Sequence, residues 1–301
     1  MKKEALGTFL VFLTALISGF SIFANKIFVT TIDPLVYTAI RGLAIGAIFF
    51  ILSLSYNHWK IKKFTSVSWK YLISIGIIGG GIAFWLFFSG LQATTSGRAG
   101  FIHKTLPIYV TILAFIFLKE KITKKQMLAL GVSIVGLIVL LSTSITPTQL
   151  WANPQLGDFL VLGATILWGI ENILARKAMI KGENNFIVSF SRMFIGGLFL
   201  AGIVIIVGKA GLFLALTATQ WLYIFFSVII LFGYVLTYYW GIKYINVSKA
   251  ATILILSPVI TLVLGTIFLH EPLPLIQLVG SVLILIGVYF IATVKSEFSR
   301  T

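Results

Sequence analysis

The sequence of 301 residues has no cysteine and little charge, because Asp, Glu, Lys and Arg make up only 10% of it. The absence of cysteine excludes disulfide bonds and thiolate metal sites. A typical soluble domain carries roughly 25% charged residues, so a water-exposed surface of ordinary composition is excluded too. Acidic residues are especially rare, with 8 Asp and Glu against 23 Lys and Arg. These deficits indicate that much of the chain contacts lipid.

Long apolar runs are abundant, and hydrophobic residues make up 59% of the chain. Three stretches contain no charged residue: Lys70 to Arg98, Lys125 to Asp158 and Lys209 to Lys243, counted between these ends. Each exceeds the ~20 apolar residues that cross a bilayer, and a soluble helix of that length would show a charged face. We predict an all-α protein that spans the lipid bilayer with ten transmembrane helices near 5–25, 34–56, 70–92, 97–118, 124–143, 156–178, 185–208, 218–241, 247–269 and 273–295.

The net charge of +15 could indicate nucleic-acid binding, but its distribution does not. With the N-terminus inside, most Lys and Arg residues fall at the cytoplasmic helix ends and loops, and only Lys26, Arg98 and Lys209 lie opposite. This alternation over short loops is the positive-inside pattern. It predicts a multi-pass plasma membrane protein with both termini in the cytoplasm. Nucleic-acid binding would require a basic soluble face, and the short connections leave no room for one.

The chain contains an internal repeat. The segment LGTFLV at 6–11 returns as LGDFLV at 156–161, an offset of 150. Further matches lie at an offset of 150 or 151: Gly19 with Gly169, Arg41 with Arg192, Gly90 with Gly241, Ala99 with Ala250, Pro107 with Pro258, Glu120 with Glu271, Gln126 with Gln277 and Gly136 with Gly287. We therefore predict two domains, 1–145 and 154–298, of five helices each. Five is odd, so the two repeats must be inverted in the membrane, as in many secondary transporters. The first helix has a partner in the second half, which argues against a cleaved signal peptide.

Three segments carry a family resemblance: WGIENILARK at 168–177 and the apolar ends of both halves, LFLKEKITKKQMLALGVSIVGLIVL and SPVITLVLGTIFLHEPLPLIQLVGSVLILIGVYF. Their paired proline, glutamate, glutamine and glycine resemble the ten-helix EamA-type branch of the drug/metabolite transporter superfamily, over essentially the whole chain. The resemblance implies an inverted-repeat carrier that exports or exchanges small metabolites. It does not identify the substrate, since members carry amino acids, sugars, nucleotides and drugs. One departure is Ser18, which stands where the second half has Trp168.

Two matched prolines, Pro107 and Pro258, fall near the middle of predicted helices 4 and 9. Proline removes a backbone hydrogen bond and bends a helix, and in a bilayer the freed carbonyl must face protein or a water-filled cavity. Matched kinks predict that helices 4 and 9 line a central cavity. A purely structural kink is equally compatible with the pattern.

Few ionisable residues lie deep within the predicted helices, away from the helix ends; they are Arg41, His103, Lys104, Glu171 and Arg192. Such residues usually face the bundle interior. Arg192 and Glu171 lie at similar depth and could pair, whereas Lys104 is matched by Ile255 and has no acidic residue at its depth. Lys104 either extends outward past Arg98 or faces the cavity and binds an anionic group of the substrate.

The sequence therefore predicts a secondary-active carrier of a small metabolite, such as an amino acid or a related amphipathic compound, that works by alternating access. Neither an ATP-binding motif nor a zinc-hydrolase motif is present, so we predict no enzyme activity and no cofactor. A channel-like facilitator or an intramembrane enzyme is the alternative. Glu171 is the candidate for a coupling proton, and uncoupled exchange fits equally well. The predicted substrate-binding residues are Lys104, His103, Trp85, Trp168, Glu171, Tyr238 and Arg41, with kinks at Pro107 and Pro258.

Overall fold

The computed structural model describes residues 2–28, 31–56, 68–142 and 152–296. Within these residues the chain has ten helices long and apolar enough to cross a membrane and no β-strand, which confirms the predicted fold class. The helices are α1 (Lys2–Phe28), α2 (Pro34–Tyr56), α3 (Trp69–Gln92), α4 (Ser96–His103 and Leu106–Phe117), α5 (Lys124–Leu141), α6 (Leu156–Ile180), α7 (Asn185–Ile206), α8 (Ala218–Tyr244), α9 (Val247–Leu269) and α10 (Leu275–Thr293). Three basic residues of the predicted cytoplasmic loops, Lys60, Lys62 and Lys63, lie outside the described residues, as do Arg300 and the predicted domain bounds at 1, 145 and 298.

Helix packing follows the inverted repeat. Helix α2 packs against α7, and α5 packs against α10. Helix α1 packs against α8, and correspondingly α6 packs against α3. If the two halves are exchanged, the α2–α7 and α5–α10 pairs map onto themselves, and α1–α8 maps onto α6–α3. The ten helices therefore form two inverted five-helix repeats.

Glycine allows the equivalent α1–α8 and α6–α3 pairs to come into backbone contact. A Cβ added to Gly157 in α6 would lie 2.5 Å from the carbonyl oxygen of Gly90 in α3. A Cβ added to Gly241 in α8 would lie 3.2 Å from the carbonyl oxygen of Gly7 in α1. Small residues let helices in lipid approach closely, where van der Waals contact drives association. Glycine thus permits close backbone contact in both pairs of helices.

Helices α4 and α9 are each interrupted just before their proline. In α4 the first segment ends at His103, and the second, Leu106–Phe117, begins one residue before Pro107. In α9 a short 3₁₀ segment, Leu254–Leu256, precedes the segment Ser257–Leu269, which begins one residue before Pro258. Proline is tolerated in the first turn of a helix because its missing N–H would be unsatisfied there anyway.

The two ends of the bundle differ in how α4 and α9 pack. At one end, here called the terminal end because Glu4 of α1 and Ser296 after α10 meet there, the segment Leu106–Phe117 packs against Val247–Ile253. At the opposite end, Ser96–His103 packs against α6, and Ser257–Leu269 packs against α1. The two broken helices therefore converge at the terminal end and diverge towards the opposite end.

Candidate functional site

A central cavity of about 280 Å³ lies where α4 and α9 are interrupted. Its described lining comes from both halves, through α1–α4 and α6–α9. The main polar and aromatic lining residues are Ser18, Ser21, Arg41, Phe84, Phe87, His103, Lys104, Trp168, Asn172, Arg192, Tyr234 and Tyr238. A cavity at the junction of two inverted repeats is the position of the substrate site in many secondary transporters.

Lys104 lies between the two broken helices. It is the residue that follows the first segment of α4, and its Nζ donates a hydrogen bond of 2.8 Å to Oγ of Ser257, where α9 resumes. Lys104 also lines the cavity. Of the two orientations that the sequence left open, the structure therefore has the ammonium at the cavity.

His103 and Trp168 belong to an aromatic cluster at one wall of the cavity. The ring of His103 lies 4.8 Å from the ring of Trp168 and 5.5 Å from the ring of Phe87, measured between centroids. The indole Nε1 of Trp168 donates a hydrogen bond of 2.9 Å to the carbonyl oxygen of Gly79 in α3, which fixes the indole. Nδ1 of His103 is buried and has no hydrogen-bond partner among the described residues. This wall can bind an apolar body and offers one polar nitrogen.

Arg192 is paired within the second half. Its Nη1 lies 3.4 Å from Oε2 of Glu171 and donates a hydrogen bond of 3.0 Å to the hydroxyl of Tyr239. That hydroxyl in turn donates a hydrogen bond to Oε1 of Glu171. The Glu171 side chain is fully buried and does not line the cavity, although Arg192 does. The predicted Glu171 site is thus a buried partner of Arg192, one layer behind the cavity wall.

The position of Arg192 depends on a close contact between α3 and α7. Residues Gly76–Ile82 of α3 and Ser191–Ile195 of α7 are both π-helical, and they pack against each other. A Cβ on Gly80 would lie 1.9 Å from the carbonyl oxygen of Arg192. Single-turn π-helical segments often occur at functional sites. The contact between these two segments fixes the position of Arg192 beside the cavity.

Arg41 contacts only uncharged groups among the described residues. Its Nη1 donates a hydrogen bond of 3.0 Å to Oγ of Ser227, and its guanidinium carbon lies 4.0 Å from the ring centroid of Tyr37. The residue is only 6% exposed and lines the cavity. A cation buried in this way is costly without an opposite charge.

Tyr238 and Trp85, two further predicted site residues, have different positions. Tyr238 lines the cavity, and its hydroxyl donates a hydrogen bond to Oδ1 of Asn172. Trp85 is 37% exposed and does not line the cavity. Phe84 and Phe87 do line it, three residues apart on one face of α3, and Trp85 follows Phe84 by about 100° around the helix. We leave Trp85 out of the proposed site for this reason.

Sequence reasoning missed several lining residues, among them Ser21, Phe87 and Asn172. It also missed Ser257, which accepts the hydrogen bond of Lys104. Ser21 could have been found from the repeat, because at the offset of 150 it matches Glu171. Phe87 could have been found from its spacing to Phe84. Asn172 carries no signal in the sequence that separates it from an ordinary packing residue.

The terminal end of the cavity is closed by Glu120, which lies shortly after the end of α4 at Phe117. Its carboxylate accepts backbone hydrogen bonds from Val247 at 2.8 Å and from Ser248 at 3.3 Å, and a hydroxyl hydrogen bond from Ser248 at 2.6 Å. A carboxylate at the first turn of a helix satisfies amides that have no partner within the helix. Glu120 thereby holds the end of α4 against the start of α9.

Known proteins resemble this chain over nearly its whole length. The model of the EamA-like transporter family matches residues 5–142 and 155–293. The chain is 26% identical to the "Uncharacterized transporter YoaV" of Bacillus subtilis, over 96% of each chain, and 28% identical to "Uncharacterized transporter YyaM" of the same organism, over 90% of each. A solved crystal structure has a TM-score of 0.78 to this chain at 16% identity, over 95% of this chain and 96% of the other, which shows a shared fold. The chain, which has the ten helices and the two matched halves of such a transporter, belongs to the EamA-like transporter family.

Proposed function

We propose that this membrane transporter is a secondary-active carrier that exports or exchanges a small metabolite, such as an amino acid or a related amphipathic compound, by alternating access. The observation that carries the proposal is the central cavity, which lies between inverted repeats and is closed at one end by Glu120. A channel usually repeats its pore element by oligomeric symmetry. An inverted repeat within one chain suits a carrier, because its two halves can exchange conformations about a fixed site.

The repeat also provides the parts for closure at the opposite end. Lys119 and His270 both have φ of 53°, and the N–H groups that follow them, in Glu120 and Glu271, donate to the carbonyls of Ala114 and Gly265, each at 3.2 Å. Glu271 matches Glu120, and at the same offset the residues matching Val247 and Ser248 are Ser96 and Gly97. We propose that in the alternate conformation Glu271 binds the backbone amides of Ser96 and Gly97, which begin α4.

The distribution of basic residues supports one orientation in the membrane. Described residues of the terminal end include Lys119, Lys121 and Lys124, whereas the opposite end has Arg98 paired with Asp158, and Lys209 2.7 Å from Asp33. Cytoplasmic loops are enriched in Lys and Arg, so we propose that the terminal end and both termini lie in the cytoplasm of a plasma membrane protein. The state in the structure would then be closed to the cytoplasm. Because the chain has no cysteine, single introduced cysteines at either terminus can be labelled from one side, and labelling from outside would contradict this orientation.

The function can be tested with purified protein in liposomes. Counterflow is measured for amino acids, sugars and organic anions, with and without a pH gradient. Saturable counterflow supports a carrier, whereas ohmic current would indicate a channel-like facilitator and product formation an intramembrane enzyme. If a pH gradient drives uptake and Glu171→Gln abolishes only that driving force, Glu171 is the coupling group. If the gradient has no effect on the wild type, transport is uncoupled exchange.

A further inference from the structure

We propose that the first half contributes an anion subsite built on Arg41, and that with Lys104 it selects an organic dianion with an apolar body, such as a dicarboxylate. In this subsite a carboxylate of the cargo takes the position that the Glu171 side chain has in the second half. The inference rests on the proposed carrier function and deepens it: among small metabolites it selects organic dianions in place of the amino acid given there as an example. The observation behind it is that the matched residues Arg41 and Arg192 have different partners.

In the second half, the charge of Arg192 is neutralised within the protein. The carboxylate of Glu171 and the hydroxyl of Tyr239 both contact Arg192, and they contact each other. The arrangement contains one cation and one anion, so Arg192 adds no net charge to the cavity. A cargo anion would have to compete with Glu171 for it.

In the first half, both partners of the arginine are replaced. At the repeat offsets Glu171 is matched by Ser21 and Tyr239 by Phe88, and neither carries an acidic group. Arg41 instead donates to the hydroxyls of Ser227 at 3.0 Å and Thr38 at 3.5 Å, and neither of these groups is charged. Ser21 and Arg41 both line the cavity. The space beside Arg41 that a carboxylate would fill is therefore part of the substrate cavity.

Lys104 adds a second positive charge without a carboxylate partner in the described part of the chain. Its hydrogen bond goes to the neutral hydroxyl of Ser257. The other basic residues that the structure pairs with acids, Arg98, Lys209 and Lys249, lie towards the two ends of the bundle. No Asp or Glu lines the cavity among the described residues. Apart from the Arg192–Glu171 pair, the cavity wall carries the two cations Arg41 and Lys104.

These charges define the cargo. Two cations desolvated in one cavity are best compensated by two anionic groups, because charge-assisted hydrogen bonds to carboxylates are the strongest available. A substrate ammonium would find no carboxylate in the lining, which disfavours amines and zwitterions. The rings of Phe87, Trp168 and Tyr238 at the wall suit an apolar body between the two acidic groups.

The repeat suggests a direct test, because Ser21→Glu supplies the carboxylate that the first half lacks. The probe is phenylsuccinate, and the measurements are counterflow in proteoliposomes and the shift of Tm by the probe in detergent. We expect Ser21→Glu to lower phenylsuccinate counterflow about tenfold or more beyond the loss caused by Ser21→Gln, which has the same bulk without the charge. Ser21→Glu should also raise the Tm of the ligand-free protein above that of Ser21→Gln and remove the probe-induced shift.

The outcomes separate this inference from the carrier function. Saturable counterflow of phenylalanine but not of phenylsuccinate by the wild type would overturn the dianion and leave the carrier intact. Equal effects of Ser21→Glu and Ser21→Gln on phenylsuccinate counterflow and Tm would overturn the subsite. If the wild type shows no counterflow of any compound, the carrier function fails, and the ligand-free Tm of the two Ser21 variants still decides the subsite.

If Ser21→Glu does not fold, Arg41→Met and Arg41→Lys replace it, and retention of full probe binding by Arg41→Met would overturn the subsite.

Discussion

Arg192 of α7 lies beside the buried carboxylate of Glu171, whereas Arg41, its match in α2, contacts two hydroxyls and the ring of Tyr37. The two halves share the elements that build the scaffold, including the prolines, the glutamates that follow α4 and α9, and the glycines at helix contacts. They differ in the groups that face the cavity. Repeat symmetry thus preserves the positions of the helices. The cavity positions at which the two halves carry different residues are the ones available to bind the substrate.

The largest expected effect concerns the two arginines. Arg192→Met should lower the free energy of unfolding by about 3–5 kcal/mol, because it leaves the carboxylate of Glu171 buried and unpaired. Arg41→Met removes a cation that has only neutral partners, and it should cost no more than about 1–2 kcal/mol. The Tm of both variants in detergent measures the comparison. Equal losses of stability would mean that Arg41 is as structural as Arg192.

The next effect concerns Lys104, which is matched by the apolar Ile255. Lys104→Met keeps most of the stem and removes the ammonium, and it should reduce transport of a carboxylate substrate about tenfold or more, since a hydrogen bond to a charged group contributes roughly 1.5–3 kcal/mol. Lys104→Arg keeps the charge with a different shape and should retain more transport. Because Lys104 has no described acidic partner, the Met variant should still fold. Unchanged transport in the Met variant would show that the ammonium does not bind substrate, and loss of folding would show a structural role.

A third comparison concerns helix packing between the halves. Gly80 contacts the α7 backbone at Arg192, whereas its match, Leu231, lines the cavity. Gly80→Ala should lower the free energy of unfolding by about 1–3 kcal/mol because the helices must separate. Gly202→Ala is the control, since a Cβ there meets nothing within 4 Å, and it should be neutral or stabilising by up to about 1 kcal/mol. If the two variants have the same Tm, the π-helical contact does not set the α3–α7 distance.

The smallest effect compares the two end glutamates. Glu120→Gln weakens the hydrogen bonds to Val247 and Ser248 and should favour opening at the terminal end by about 1 kcal/mol, roughly fivefold. Glu271→Gln should shift the equilibrium the opposite way. The measurement is the rate at which an impermeant thiol reagent labels Ala251→Cys, a lining position on α9, from the terminal end. Changes of the same sign in both variants would contradict reciprocal closure by the two residues.

Several features of the site were accessible from the sequence because they are encoded by residue type and spacing. The pairing of Glu171 with Arg192 follows from matched depth in adjacent helices. The interruptions of α4 and α9 occur at Pro107 and Pro258, whose missing N–H is a property of the residue. By contrast, Trp85 and Trp168 are both tryptophans in apolar helices. Which of them faces the cavity depends on helix rotation, which the apolar pattern does not encode because lipid and protein interior are equally apolar.

The amino-acid sequence was sufficient for the ten helices, the inverted repeat and the asymmetry of basic residues, because length, hydropathy and charge act locally and additively along the chain. The side chains that meet around the cavity depend on how eight helices pack. Lys104 could have extended towards water or faced Ser257, and both conformations fit the same sequence. The packing of α4 against α9 selects the second, since it brings their two interruptions together. Likewise the closure by Glu120 joins residues 127 positions apart, and only the folded bundle brings that carboxylate to the first turn of α9.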